Sequence, residues 1–469
     1  MRTDFAKLER AFNPKCVAVV GDKSESNFMW LRGQSEFRGK LYSVQVDPKE
    51  IPGIEELGVQ NFTSLMDIPE AVDLAIVAVP RQVAPRILAD CIKKDVAAAH
   101  FFTSGFAETD TEEGIALQNT LTSMAEEANF HLIGPNCMGV YSPGAGIRQT
   151  VMQRVGFQGT VGFISQSGTH AIAFSEEAYQ QGVEINKSVS FGNGVVLDST
   201  DYLEYFGRDD GIEAIGMYLE GVRDGRRFVR VLKEITTRKP VVIWKGGRTE
   251  EGHRAIASHT GSLAVSMHIW DAAVRQCGAV KVRSMEELVD ALNAIQRLKP
   301  VIGDRLGIAG GSGGQSVAIA DVVAECGLRV PTLTEESYAE LASFFSLIGG
   351  GYRNPIDTGN VNRREMRRIM EILEKDDNID NLVLLTSVNP RTSAQLDRDI
   401  PMLVEIRERS PKPVAVILAY QTPEAMQAAR DVARRFREGS IPTFSSLERG
   451  ARALKNALEY YALKRRGGK

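Results

Sequence analysis

The chain has 469 residues, enough for about three domains of ordinary size. Hydrophobic residues make up 43% and charged residues 25%, and the formal net charge of −4 at pH 7 carries no basic excess, so we expect no nucleic-acid partner. The first ten residues alternate charged and apolar side chains, and no apolar run approaches the roughly 18 residues of a bilayer span, so we expect neither a secretory signal nor a membrane partner.

The cysteines are scattered along the chain and odd in number. They are Cys16, Cys91, Cys137, Cys277 and Cys326. Their spacing matches no metal-ligand pattern. We therefore predict a reduced, cytoplasmic protein with neither a disulfide framework nor a metal site.

Strand-length apolar runs alternate with helical patterns through the first third of the chain. The apolar runs cover residues 16–22, 41–46, 74–79 and 97–102, and helical patterns cover residues 83–94 and 112–129. This alternation predicts a parallel sheet with helices on both faces. Ligands of such sheets lie beyond the carboxyl ends of the strands.

Four turns are therefore expected around one crevice. They are residues 21–24, 48–49, 79–80 and Gly105. The first turn lacks G-x-G-x-x-G, because Gly21 is followed by Asp22 and the next glycine is Gly33, so a nicotinamide dinucleotide is not favoured. Another phosphate-bearing cofactor would suit the helix start. Tight turns without a ligand explain Gly21 and Gly105 almost as well.

A second alternating unit follows a glycine-rich stretch, to Gln149, that is predicted to be a linker. Its first strand, at 160–164, leads into the polar turn 165–169 and a helix at 171–180. Serine hydroxyls and free N–H groups at a helix start suit a phosphate or an oxyanion. Serine also caps helices for stability alone, so this turn is only suggestive.

The strand at 214–219 ends at Glu220, on the edge of the sheet where ligands bind. A carboxylate there could orient an imidazole or favour its protonated form. Most glutamates in such positions are solvated surface residues.

The strand at 240–244 leads into a long polar loop, residues 246–264, that contains His259 within Ser-His-Thr-Gly-Ser. Long loops that leave buried strands often carry function. Small neighbours leave the imidazole room for several partners, so His259 is a candidate nucleophile. A solvated surface histidine is the alternative.

A third unit begins after Lys299 and Pro300. Its first strand, at 305–309, is followed by a turn with four glycines in five residues, 310–314, and by a helix at 316–326. The glycines allow close approach of a backbone to a ligand and direct free N–H groups at an anion. Later elements are strands at 382–386 and 413–418 and a helix at 447–464.

Two anion-binding turns and a histidine on a loop together favour phosphoryl transfer through a phosphohistidine. The chain has no G-x-x-x-x-G-K-[ST] motif, so we expect any ATP to bind another chain.

Five motifs, in order, resemble those of the α subunit of NDP-forming acyl-CoA synthetases, the superfamily of succinyl-CoA synthetase. They are G-P-N-C-M-G at 134–139, F-I-S-Q-S-G at 163–168, Y-L-E-G at 218–221, S-H-T-G-S-L-A at 258–264 and R-N-P-I-D at 353–357. The resemblance implies an α/β protein of three tandem open parallel-sheet domains. The first is a Rossmann-like CoA-binding domain at 1–145. Two flavodoxin-like domains follow: a ligase domain with the phosphohistidine loop at 146–298, and a third domain at 299–469.

The resemblance implies that carboxylic acid, CoA and ATP are interconverted with acyl-CoA, ADP and phosphate through an acyl phosphate and a phosphohistidine. His259 matches the phosphorylated histidine, and Glu220 matches the glutamate that stabilises it. The phosphate-facing positions are Ser165, Gln166, Ser167, Gly168, Thr169, Gly313, Gly314 and Gln315. The positions in the CoA region are Gly21, Ser24, Pro48, Lys49, Val79, Pro80 and Asn136.

The family further implies a separate ATP-grasp β subunit that binds ATP or ADP with Mg²⁺, in an α2β2 assembly. Asp22 departs from the usual first turn, and a carboxylate beside CoA phosphates would be unfavourable. The sequence leaves open the identity of the acid, ATP versus GTP and the physiological direction. The alternatives are a non-catalytic acyl-CoA-binding or regulatory protein and, less favoured, a nicotinamide-dependent oxidoreductase.

Overall fold

The computed structural model of the chain describes residues 3–252, 254, 266–311, 313–348, 350–389, 393–420 and 422–467. The chain forms two compact units. The first contains Met1–Tyr179 and Val183–Arg283, and the second contains Gln180–Gly182 and Ser284–Lys469. Within the described residues, no helix is long and apolar enough to cross a membrane.

The first sheet has the strand order β3-β2-β1-β4-β5-β6, and all neighbouring strands are parallel. Its strands are β1 (Cys16–Val20), β2 (Lys40–Val44), β3 (Gln60–Phe62), β4 (Leu74–Val77), β5 (Ala98–Phe101) and β6 (Leu132–Ile133). The accompanying helices are α1 (Phe5–Phe12), α2 (Met29–Gly33), α3 (Ile51–Glu56), α4 (Ala84–Lys93) and α5 (Glu112–Glu127). Every residue of β1, β4 and β5 is buried, as expected for apolar strands with both faces covered. The strand order is that of the Rossmann fold and reverses direction between β1 and β4.

The second sheet, also in the first unit, has the order β12-β11-β10-β8-β9-β7. Its strands are β7 (Gly139–Tyr141), β8 (Val161–Ser165), β9 (Ile185–Ser190), β10 (Ala214–Leu219), β11 (Val241–Lys245) and β12 (Val280–Val282). The accompanying helices are α6 (Gly168–Gln180), α7 (Ser199–Arg208), α8 (Gly225–Thr236) and α9 (Met267–Cys277). Only β7 runs antiparallel among these strands. From β9 to β12 the order is flavodoxin-like, with its reversal between β8 and β10.

Strand β9 is central in this sheet but was not predicted from the sequence. All six of its residues are buried, although most of them are polar. Two of the polar side chains find partners inside the protein: Lys187 pairs with Asp209, and Asn186 donates to the carbonyl of Gly159 at 2.8 Å. The apolar pattern that identifies a buried strand is therefore missing from this segment.

The third sheet, in the second unit, is parallel with the order β13-β14-β15-β16. Its strands are β13 (Leu306–Gly310), β14 (Asn381–Ser387), β15 (Val414–Ala419) and β16 (Thr443–Phe444). The accompanying helices are α10 (Met285–Arg297), α11 (Gly313–Glu325), α12 (Glu335–Ala342), α13 (Gly359–Asn362), α14 (Met366–Lys375), α15 (Ser393–Arg409), α16 (Pro423–Glu438) and α17 (Leu447–Gly467). Ile356 forms a parallel bridge with Ala309 of β13, so the extended segments follow the flavodoxin-like order here as well.

The stretch that ends at Gln149 is not a linker, so that prediction was wrong. Ile147, Arg148 and Gln149 are buried in the first unit. The Arg148 guanidinium donates to the carbonyl of Gly33 at 2.8 Å and to Glu36 Oε1 at 2.9 Å. Glycine content indicated flexibility, but the buried arginine fixes this segment against the first sheet's loops.

The predicted fold class is confirmed. The chain is α/β with three largely parallel sheets, a Rossmann-like sheet followed by two flavodoxin-like sheets.

Candidate active site

The carboxyl ends of β8 and β10 lie side by side in the second sheet, where Tyr218 is in register with Ser165. This is the point at which the strand order reverses, so the loops after the two strands diverge and leave a crevice. The sequence placed two candidate elements here: the turn 165–169 after β8, and Glu220 after β10.

The turn after β8 is held by its own serine side chains. Ser165 Oγ donates to the carbonyl of Ser167 at 2.6 Å and accepts from the Ser167 N–H at 3.2 Å. Helix α6 begins at Gly168, where an added Cβ would lie 2.6 Å from Met138 Cγ, so only glycine fits without movement. Thr169 follows in the first turn of the helix. A helix start of this kind presents partly positive N–H groups to an anion.

Gln166 links the two loops. Its side-chain Oε1 accepts from the backbone N–H of Glu220 at 2.8 Å and from that of Gly221 at 3.0 Å. Its own backbone N–H donates to the carbonyl of Tyr218 at 3.0 Å. Gln166 was predicted to face phosphate, and the structure places its side-chain oxygen on the Glu220 backbone.

The Glu220 side chain is buried, with 6% exposure. The Tyr218 hydroxyl donates to Glu220 Oε1 at 3.2 Å. Burial, followed by the nearby carboxylate, raises the pKa of the Tyr218 phenol far above its ordinary value, so the phenol remains a donor. Glu220 is therefore a fixed carboxylate and not one of the solvated glutamates considered as the alternative.

Lys245, the last residue of β11, contacts the same backbone. It is 2% exposed, and its Nζ donates to the carbonyl of Glu220 at 2.7 Å and to that of Gly246 at 2.6 Å. Burial lowers the pKa of Lys245 to about 8, and the charge of Glu220 opposes this shift. Lys245 was not predicted to belong to the site. Its position directly after a fully apolar run was the one feature of the sequence that could have indicated a role for it.

Three rings cover this end of the sheet. The His170 ring centroid lies 4.3 Å from that of Tyr218 and 4.7 Å from that of Trp244, and Tyr218 and Trp244 lie 4.6 Å apart. Edge-to-face packing of this kind excludes water and fixes the rings. The Tyr218 hydroxyl is thereby held in position beside Glu220.

A cavity of about 490 Å³ opens beside Gln166 and Gly221, the residue after Glu220. Its lining includes Gln166, Gly221 and Arg223, together with Asn193 and Gln118. Asn193 Nδ2 donates to Gln118 Oε1 at 3.0 Å, so a loop of the second sheet is joined to helix α5 of the first. Arg223 and Asn193 were not predicted, because the pairing of distant loops leaves no local pattern in the sequence.

The predicted nucleophile, His259, lies outside the described residues. The described chain continues from β11 to Gly252, includes Arg254, and resumes at Ser266, directly before α9. Within the described residues, no group of three or more His, Cys, Asp or Glu side chains is placed to hold a metal ion.

A second cleft, of about 430 Å³, lies at the carboxyl ends of β1 and β4. Of the predicted cofactor-binding residues, Gly21, Val79 and Pro80 line it. Gly21 has φ +81°, and an added Cβ would lie 2.5 Å from Val79 Cγ1, so the turn requires glycine.

The Asp22 carboxylate is 2% exposed and is turned into the protein. Its oxygens accept from the N–H groups of Trp30 and Leu31, both at 2.9 Å, and from Ser26 Oγ at 3.2 Å. Burial raises the pKa of this carboxyl even though these hydrogen bonds oppose the shift. Asp22 is therefore a cap of α2, and the unusual first turn has a structural explanation.

The other predicted cofactor-binding residues are not among those lining this cleft. Ser24 donates its N–H to Glu50 Oε2 at 2.7 Å. Pro48 and Lys49 are exposed in the turn after β2. Asn136 has φ +58° and donates through Nδ2 to Asn193 Oδ1 at 3.3 Å.

In the second unit, Gly313, Gly314 and Gln315 open helix α11 after β13. Gly310 has φ +110°, and an added Cβ would lie 1.9 Å from the carbonyl oxygen of Leu385, so this turn also requires glycine. The predicted strand, turn and helix are present, with a helix start at the carboxyl end of the sheet.

Residues 15–143 match the family model of a CoA binding domain, and residues 158–295 match that of a succinyl-CoA ligase like flavodoxin domain. The chain is 34% identical over 386 residues to acetate–CoA ligase [ADP-forming] II subunit alpha of Pyrococcus furiosus, covering 81% of this chain and 82% of that one. The chain belongs to the family of ADP-forming acetate–CoA ligases.

Other members of this ligase family are similar over different lengths. Acetate–CoA ligase [ADP-forming] I of Archaeoglobus fulgidus is 36% identical over 394 residues, and the match covers 83% of this chain but only 56% of that relative. The solved structure of dinucleotide forming acetyl-coenzyme A synthetase 1 of Ca. Korarchaeum cryptofilum, in complex with phosphate and ADP, superposes with a TM-score of 0.82 at 30% identity. That superposition covers 98% of this chain and 97% of the other.

Proposed function

We propose that this chain is the α subunit of an ADP-forming acid–CoA ligase. Carboxylic acid, CoA and ATP are converted to acyl-CoA, ADP and phosphate in three transfers. ATP phosphorylates His259, the phosphoryl group moves from His259 to the acid and forms an acyl phosphate, and the CoA thiol attacks the acyl carbon and releases phosphate. Each step is reversible, so the chain also forms phospho-His259 from acyl-CoA and phosphate.

The observation that carries the proposal is the buried Glu220 carboxylate beside the helix start at 165–169. A fixed carboxylate orients one imidazole nitrogen of His259 and stabilises the charge that develops when the other is phosphorylated. The first N–H groups of α6, after Ser165 and Ser167, bind the phosphoryl oxygens. Gly313, Gly314 and Gln315 supply a second helix start of the same kind.

The cleft between Gly21 and Val79 suits the phosphate-bearing part of CoA. Asp22 is among the residues lining the cleft, but its carboxylate is buried and accepts from the N–H groups of Trp30 and Leu31, which weakens its repulsion of an anion there. Lys23 and Arg81 both line the cleft and contribute positive charge, which Glu25 in the same lining and the ion pair of Arg81 with Glu113 offset in part. Ser24, Pro48, Lys49 and Asn136 are proposed to contact more distant parts of the cofactor. The thiol supplied by CoA is the acyl acceptor.

We propose that ATP binds a separate ATP-grasp β subunit, with Mg²⁺ coordinated there, and that the complex is α2β2. One observation supports a separate partner: the P. furiosus relative is itself an α subunit. The cavity lined by Gln166 and Gly221 is the proposed place of the reacting acyl group. A cytoplasmic location remains a prediction from the sequence.

The test is phosphorylation of the purified chain by CoA thioesters and inorganic phosphate. Intact-protein mass should show an acid-labile gain of one phosphoryl group, absent in His259→Ala. Yields across a panel of thioesters then rank the acids. A chain that gains no phosphoryl group with any thioester, even with its β subunit and ATP present, would be a non-catalytic CoA-binding protein.

A further inference from the structure

Lys245 lies at the junction between the Glu220 site and the loop that follows β11. Its ammonium group is buried and hydrogen-bonds two backbone carbonyls, that of Glu220 on the neighbouring strand and that of Gly246 at the start of the loop. Both of these hydrogen bonds go to backbone oxygens, so this side chain binds backbone positions.

Burying an ammonium group costs several kcal/mol unless it is well hydrogen-bonded. An apolar side chain at the end of β11 would avoid this cost, as Val241, Val242 and Ile243 do earlier in the strand. Stability alone therefore does not explain a lysine here. The lysine instead contributes a distance restraint, because its one nitrogen binds two backbone carbonyls on neighbouring segments of the chain and so fixes their separation.

Three hydrogen bonds hold Glu220, two at its backbone and one at its carboxylate. Gln166 Oε1 accepts its N–H, Lys245 Nζ donates to its carbonyl, and the Tyr218 hydroxyl donates to its carboxylate. Two of these contacts come from other elements, β11 and the turn before α6. Of the three, only Lys245 also fixes the first residue of the long loop, Gly246.

We propose that Lys245 is a positioning residue, which fixes the Glu220 carboxylate relative to the base of the loop that carries His259. The inference rests on the proposed function, since it assigns Lys245 to the phosphorylation of that histidine. Lys245 does not touch the reacting atoms. It acts through the two carbonyls it binds, and it does so best as an ammonium group, which has three donors.

The surroundings of Lys245 make its two hydrogen bonds, to the carbonyls of Glu220 and Gly246, sensitive to pH. Its pKa of about 8 places deprotonation just above neutrality. The titratable groups nearby are Glu220 and Tyr218 on β10, and His170 of α6, whose ring packs on Tyr218. Helix α9 contributes the uncharged Trp270 ring, 5.7 Å from Nζ. Loss of the proton should weaken these hydrogen bonds, so the rate should fall as pH rises through about 8.

Lys239, two residues before β11, provides a control. Its Nζ donates to the backbone carbonyls of Phe206 and Asp209 at the opposite, amino end of β11, and burial lowers its pKa too. Lys239→Met removes the same kind of contact, two hydrogen bonds from an amine to backbone carbonyls. Lys239 is half-buried and lies at the end of β11 away from Glu220.

The experiment measures the rate of phospho-His259 formation from acyl-CoA and phosphate, by quenched intact mass, in the wild type, Lys245→Met, Lys245→Arg and Lys239→Met. We expect Lys245→Met to slow phosphorylation about 10- to 100-fold, with unchanged half-saturation by acyl-CoA, because a small misplacement costs this much in rate. Lys239→Met should keep the wild-type rate. Lys245→Arg should retain activity and lose the fall near pH 8, because guanidinium stays protonated.

A wild-type rate in Lys245→Met, or the same alkaline fall in Lys245→Arg, would overturn the positioning role while leaving the proposed function intact. An unphosphorylated wild type would instead overturn both. Circular dichroism of each variant verifies folding. If Lys245→Met does not fold, the pH profile of Lys245→Arg decides the matter.

Discussion

Replacing Gln166 by leucine removes the oxygen that accepts the N–H groups of Glu220 and Gly221, at 2.8 and 3.0 Å. Leucine has nearly the same volume, so packing changes little. Both N–H groups belong to buried residues, and neither gains a new acceptor from leucine. The variant therefore isolates the hydrogen bonds that join the turn after β8 to the Glu220 loop.

Each buried N–H left without a partner costs about 1–3 kcal/mol, which gives roughly 2–6 kcal/mol for the pair. The cavity of about 490 Å³ beside Gln166 admits water that can replace part of this bonding. We therefore expect the lower end of the range, about 2 kcal/mol. The unit that contains Gln166 has an unfolding entropy of roughly 0.6 kcal/mol per K, so the expected loss in Tm is roughly 3–4 °C.

Calorimetric unfolding of the wild type, Gln166→Leu and Gln166→Glu measures the effect. Glutamate keeps an acceptor oxygen at this position, so it should lose less stability than leucine. Phosphorylation of His259 should slow in Gln166→Leu, because the Glu220 carboxylate is no longer held. A leucine variant within about 0.5 kcal/mol of the wild type, the range of neutral surface substitutions, would refute the reasoning.

Three further predictions concern single side chains. Glu220→Gln should leave the fold intact and sharply lower the yield of phospho-His259, measured by intact mass; an unchanged yield would contradict its role. Asp22→Ala should cost about 1–2 kcal/mol in chemical denaturation through the lost cap of α2, and a neutral result would contradict that cap. Burial lowers the pKa of His100 to about 3, so the unfolded chain binds more protons and stability should fall from pH 6.5 towards pH 3. In acid-denaturation curves, His100→Leu should make the free energy of unfolding depend less on pH. An equally steep curve would contradict the assignment of this dependence to His100.

Most of the fold could be predicted because its strands are apolar runs followed by turns at βαβ spacing. Strand β10 was predicted at its observed bounds, Ala214–Leu219, and the other predicted strands agree within about two residues. Strand β9 could not be predicted, because Asn186 and Lys187 are paired with residues far along the chain. The ordered stretch before Gln149 could not be predicted for the same reason, because Arg148 bonds to Gly33 and Glu36, far earlier in the chain.

In the candidate site, too, residues that follow apolar strands could be predicted, and residues that act through contacts with distant segments could not. Glu220 and the turn 165–169 follow apolar strands directly, so the edge rule for parallel sheets located them. Lys245 and Arg223 act through backbone carbonyls of other elements, and such contacts have no pattern in the sequence. Asp22 was expected to oppose a bound phosphate because its charge, and not its orientation, is visible in a sequence.

The central claim is the phosphorylation of His259 supported by Glu220. Its most direct test is tandem mass spectrometry of the chain after brief incubation with acyl-CoA and phosphate at neutral pH, with His259→Ala and Glu220→Gln in parallel. The account predicts one phosphoryl group on His259 in the wild type, none in His259→Ala and little in Glu220→Gln. A phosphoryl group on another residue, or none in the wild type with its β subunit and ATP present, would contradict it.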